Sequence, residues 1–123
     1  AGRVFQMLLD NGVFEGRRVM EPHTVREARI PFDKHRQIDR SLMMPIRFSA
    51  GMMLGDWPLG LYGLDCREAF GHLGFLSIVC WADPARDISV AILNNGKTIA
   101  PGSYLKLVNL IGKISRVCPR DHD

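Results

Sequence analysis

Two apolar runs, Phe70 to Ala82 and Ile88 to Asn95, meet across Asp83-Pro84-Ala85-Arg86-Asp87, and this pair constrains the fold more than any other feature of the chain. Along the first run one parity carries Phe70, His72, Gly74, Leu76, Ile78 and Cys80, and the other carries Leu73, Phe75, Ser77, Val79 and Trp81. Both faces are mainly apolar. A strand of this kind has to be covered from both sides, so it belongs at the centre of a layered domain. The link, with its proline in a turn-initiating place, predicts an antiparallel hairpin into ISVAILNN.

The covering layers are sought in the flanking segments. From about Gly102 to Arg116, Tyr104, Leu107, Val108, Ile111 and Ile114 recur at helical spacing, while Lys106, Asn109, Lys113 and Arg116 take the other face. Such a helix should lie flat on a sheet. Near the start, Val4, Phe5, Leu8 and Leu9 form one stripe from Arg3 to Asp10, and Asn11-Gly12 supplies a stop. A Glu15-Gly16 turn follows, and Pro22 opens a second short helix through HTVREARI to Pro31. Residues 32–47 mix charges around Pro45 without a period and read as an irregular surface segment. FSAGMMLGDW reads as a strand starting near Phe48, and Trp57-Pro58, Gly60 and Gly63 as a loop. The expected fold class is therefore α+β, with an antiparallel sheet of about three strands packed by a C-terminal helix, and two short N-terminal helices. It forms one domain, divided into a helical region 1–47 and a sheet plus terminal helix 48–123.

At 123 residues, 46% of them hydrophobic and 24% charged, the composition is that of a packed globular domain. Sixteen basic against 13 acidic residues give +3, but the positive groups are scattered as Arg17/Arg18, Arg26/Arg29, Lys34/Arg36 and Lys106/Lys113. Without a dense basic face interleaved with aromatics, no nucleic-acid partner is expected. Three cysteines, Cys66, Cys80 and Cys118, have no zinc-like spacing and read as structural thiols. No metal and no cofactor is expected, since phosphate-cradling glycine loops are also missing from the sequence. The six methionines, with Met43-Met44 and Met52-Met53 adjacent, read as core filler. No apolar run reaches the ~20 residues of a membrane span, and the N-terminus lacks a signal-peptide pattern, so no membrane partner is expected. The chain opens without Met and already inside an amphipathic pattern, and reads as a piece of something longer.

Of the four histidines, His23, His35 and His122 sit in polar surroundings, whereas His72 stands between Gly71 and Gly74 on the central run. Glycines there leave the backbone open to a ligand. Such a strand can offer a backbone N–H to an oxyanion while the imidazole beside it supplies a donor or a proton. A strand histidine by itself is more often a hydrogen-bonded structural residue. Nucleophiles to match it are not found nearby: Ser77 falls on the opposite parity, and Cys80 lies about 26 Å along one extended strand at ~3.3 Å per residue. Ser103-Tyr104-Leu105-Lys106 has the Ser-x-x-Lys spacing, but Lys106 belongs to the charged stripe of the terminal helix and is not expected to be catalytic.

The run Phe70-Gly71-His72-Leu73-Gly74-Phe75, followed by Trp81-Ala82-Asp83-Pro84 and ISVAILNN, resembles the C-terminal part of the serine β-lactamase-like family of class C β-lactamases, penicillin-binding DD-peptidases and related esterases. RVFQMLLDNGVFEGRRVMEPHTV is similar to the family segment that precedes the last strands, and the likeness extends over nearly the whole chain, weakest over 32–47. The resemblance implies that His72 is the hydrogen-bonding residue of the site wall, that Gly74 permits close substrate approach beside Leu73, and that the backbone N–H of Phe75 is an oxyanion donor. Leu73 departs from the Thr or Ser common there and cannot donate to a substrate carboxylate, which turns the expectation toward a small-ester or amide hydrolase. The resemblance also implies a Ser-x-x-Lys nucleophile and a Tyr-x-Asn upstream of the residues given. The expected function is thus a C-terminal segment of a serine hydrolase, inactive by itself, with a small acyl substrate in the complete enzyme. The alternative is a non-catalytic interaction module that forms a homodimer through an exposed sheet edge.

Overall fold

The computed structural model describes residues 1–32, 37–40, 43–74, 78–96 and 101–120. Helix α1 (Gly2–Leu9) buries Leu8, with Phe5, Met7 and Leu9 packed beside it, while Val4 faces outward. It stops where the sequence places Asn11-Gly12: both take positive φ, 52° and 89°. Glycine is required at the second position, because a Cβ there would stand 2.2 Å from the Met20 carbonyl oxygen. Strands β1 (Val13–Phe14) and β2 (Arg17–Arg18) then pair across Glu15-Gly16, whose positive φ values suit a two-residue hairpin turn. Helix α2 (Pro22–Ala28) begins on its proline and buries Val25.

The main sheet draws on the rest of the chain. Strands β3 (Gln37–Asp39), β4 (Met44–Phe48) and β5 (Met53–Leu54) come first. A small ribbon of β6 (Leu59–Gly60) and β7 (Gly63–Leu64) follows, and then β8 (Phe70–Gly74), β9 (Ile78–Asp83) and β10 (Ile88–Ile92). Six strands pair antiparallel in the order β10-β9-β8-β5-β4-β3. The α+β class holds, but the expected three strands are corrected to six in the main sheet. Two misreadings account for the difference. The segment read as irregular contains β3 and most of β4, and Phe48 closes a strand instead of opening one, the Ser49 N–H donating to the Met52 carbonyl across the turn at 2.9 Å. The run from Phe70 to Ala82 is not one strand but two, β8 and β9, paired to each other from Phe70↔Ala82 to Gly74↔Ile78.

Helix α3 (Pro101–Val117) covers one face of this sheet. Leu107 and Ile111 are buried there with Val79, Trp81, Ile46, Met53, Leu61 and Tyr62. Leu54, Phe70 and Ala82 face the other way and pack with Leu8 and Val25 of α1 and α2. The alternation along β8 and β9 thus feeds two cores, and the sheet lies between helical layers as its two apolar faces require. The 3-10 turn Pro84–Arg86 joins β9 to β10, with Asp83 accepting from the Ala85 N–H at 3.1 Å. No helix among the described residues is long and apolar enough to cross a membrane.

Candidate active site

Gly71 sets how closely β8 and β9 approach. A Cβ there would stand 2.2 Å from the Cys80 carbonyl oxygen and 2.5 Å from Trp81 Cβ, so no larger residue fits without moving the ladder. On its other edge β8 pairs with β5 only through Phe70↔Leu54 and Gly71↔Met53. From His72 to Gly74 that edge has no strand partner among the described residues, while β9 continues on the opposite side. The backbone is therefore freed at the residue where the sequence places its histidine.

His72 is exposed, and its imidazole Nδ1 bonds the Leu73 carbonyl oxygen. A carbonyl only accepts, so Nδ1 is the donor in this contact and Nε2 is left for another partner. Leu73 is half-buried and packs toward the α3 core, so its side chain supports the wall from behind. Gly74 is exposed opposite Ile78, and a Cβ there would come 3.2 Å from Ile78 Cβ. Phe75, the expected oxyanion donor, and Ser77 lie outside the described residues, as do His35 and His122.

One exclusion made from the sequence needs correcting. Cys80 is not about 26 Å from His72: with the run folded into a hairpin, His72↔Cys80 are register partners on adjacent strands. Proximity does not make them a dyad, however. Cys80 is buried, and no hydrogen bond links its thiol to the imidazole, whose Nδ1 is engaged by Leu73. Ser103 and Lys106 lie on α3, Lys106 exposed, with no hydrogen bond between them among the described residues. All three cysteines are free thiols, and no group of three metal-ligating side chains occurs among the described residues.

The groups that hold this wall in place were missed from the sequence. Asp83 is fully buried and its carboxylate meets Arg86 Nη1 at 2.8 Å. Arg86 goes on to donate to the carbonyls of Ser115 at 2.9 Å, Asp65 at 3.1 Å and Leu64 at 3.4 Å. A buried carboxylate is tolerable only when paired and hydrogen-bonded, and here one guanidinium does this while joining the β9–β10 turn to β7 and α3. The signal was present as Asp83-Pro84-Ala85-Arg86, an acid and a base three apart in one turn. Ser115 also donates to the Tyr62 carbonyl at 2.6 Å. Burial pushes the Cys66 thiol up, its hydrogen bond with Ser115 opposing that in part. Among the described residues, one concavity of about 480 Å³ and another of about 540 Å³ indent the surface, and His72 lines neither of these.

The sheet and its helices have the serine β-lactamase-like fold, as their likeness to two solved structures shows. One solved structure similar to it is a novel penicillin-binding protein homolog from Caulobacter crescentus, 27% identical over 87% of this chain with a TM-score of 0.68. Another is a family VIII carboxylesterase, 19% identical over 89% of the chain with a TM-score of 0.61. The chain spans 29% and 30% of the length of those two proteins. No family model matches the sequence, and no curated protein matches it.

Proposed function

We propose that this chain is the C-terminal segment of a serine hydrolase that cleaves an ester or amide through an acyl-enzyme, and that it supplies one wall of the reaction site. The observation that carries the reading is the β8 edge, unpaired from His72 onward, with the imidazole exposed beside it. In this reading a serine outside these residues attacks the acyl carbonyl, and the carbonyl π electrons move onto oxygen as the tetrahedral centre forms. The Phe75 N–H donates to that oxyanion, and His72 Nε2 accepts a hydrogen bond or, when protonated, donates one. Gly74 leaves room for the acyl group. Leu73, with its side chain turned into the core, offers substrate only its backbone, which favours a small ester or amide over a β-lactam carboxylate.

The test uses the full-length protein with p-nitrophenyl esters of short acids. His72→Ala is expected to lower kcat/KM by about 10²-fold without altering the near-ultraviolet circular dichroism, in line with the loss of one positioned proton donor or acceptor. A fluorophosphonate should label a serine outside the 123 residues. Unchanged turnover in His72→Ala, or labelling at Ser103, would overturn the assignment.

A second reading, a non-catalytic module that assembles with a second copy, draws on a different observation. Strand β10 ends the main sheet, and its outer edge has no strand partner among the described residues.

A further inference from the structure

Arginines that are scattered in the sequence converge in space. Arg26 and Arg29, from α2 and the residue that follows it, Arg47 from β4 and Arg67 from the segment before β8 all line the concavity of about 540 Å³. Among the described residues that line it, Glu68 is the one carboxylate against these four arginines. Leu54 and Ala69, both buried, form an apolar floor. The size lies within the range of small-molecule sites, and the mixture of an apolar floor with a few convergent charged groups is what such sites present.

Two of these guanidiniums are already placed by the fold. Arg29 lies over the Phe70 ring with its Cζ 4.3 Å from the centroid, and Arg47 Nη1 donates to the Gly55 carbonyl at 3.3 Å. Burial lowers the Arg29 pKa, and Glu68 offsets this only in part. Arg26 and Arg67 are exposed, and their side chains make no hydrogen bond or ion pair with the described residues, so the guanidinium donors remain available. Like charges gathered in one concavity repel unless an anion sits among them, and the planar guanidinium fork matches phosphate or carboxylate oxygens two at a time.

We propose that this concavity binds a small ligand carrying a phosphate or diphosphate group, the anionic oxygens held by Arg26, Arg29 and Arg67 and the organic part resting on Leu54 and Ala69. The site does not depend on the hydrolase reading, since none of its residues belongs to the His72 wall. Inorganic pyrophosphate is the probe, titrated calorimetrically into the full-length protein. Arg26→Gln with Arg67→Gln, both exposed and free of structural contacts, should weaken binding by about tenfold or more. Lys106→Gln with Lys113→Gln, which removes the same charge from the α3 side, should leave affinity within about twofold. Sedimentation with phosphatidylcholine vesicles containing phosphatidic acid separates the two sources of phosphate. Pelleting that requires Arg26 and Arg67 assigns a lipid headgroup, and pyrophosphate binding without pelleting assigns a soluble ligand. Binding that is undiminished in the Arg26→Gln, Arg67→Gln protein, or the absence of both pyrophosphate heat and vesicle pelleting, overturns the proposal.

Discussion

Tyr62 is fully buried, its ring stacked on Trp81 with centroids 5.8 Å apart and its hydroxyl donating to the Met53 carbonyl at 3.0 Å. That burial raises the phenol pKa far above its ordinary 10.0. The sign follows from the proton count. Above pH 10 the unfolded chain releases the Tyr62 proton while the folded chain keeps it, so the stability is fully present below that pH and is lost as pH rises, by about 1.4 kcal/mol per pH unit. Cys66, raised from 9.0 by burial, adds a loss of the same sign that begins at lower pH. Tyr62→Phe is expected to cost about 1 kcal/mol at neutral pH by removing the hydroxyl's hydrogen bond to the Met53 carbonyl, and to flatten the alkaline limb of the stability profile. Urea unfolding across the alkaline range measures both, and parallel profiles for the two proteins would contradict the assignment.

Helix α3 acts through a few residues. Ile111 is fully buried against the sheet, whereas Leu105 on the same helix is 66% exposed. Ile111→Ala should cost about 2–5 kcal/mol, and Leu105→Ala no more than about 0.5, in denaturant unfolding of the same protein. Equal costs would mean that the helix does not seat as described. Both helix ends of the chain were legible in the sequence because a 3.6-residue apolar stripe survives any tertiary setting, as Leu107, Ile111 and Ile114 illustrate. The strands were less so. Pro45 argued against a strand, yet it falls where β4 pairs with β3 alone, beyond the Arg47 and Phe48 shared with β5, and a proline is tolerated beside an unpaired edge. The hairpin between β8 and β9 was hidden for a different reason. Its two strands are both covered on two faces, so apolar residues on either parity continue through the reversal, and no Asn-Gly or Asp-Gly marks it. His72 was legible from its glycines, whereas its adjacency to Cys80 depends on that reversal and was lost with it. Arg86 shows the same limit at longer range: three of its carbonyl partners lie 21 to 29 residues away in sequence.

The described residues form a sheet between two helical layers, and the outer edge of its strand β10 has no strand partner among them. An edge of this kind recruits a strand from elsewhere unless something blocks it. If a second copy is the recruit, light scattering of the protein at high concentration should give a dimer, and Ala91→Lys, which puts a charge on the exposed strand position, should return a monomer. A monomer at every concentration would remove the assembly reading. The fold also constrains its own manufacture. Trp81 waits for Leu107 and Ile111, and Arg86 waits for the carbonyl of Ser115, so during synthesis one side of the sheet stays greasy and bare until α3 has emerged from the ribosome. A chain stalled before that point would present chaperones with the very surface that the finished protein hides.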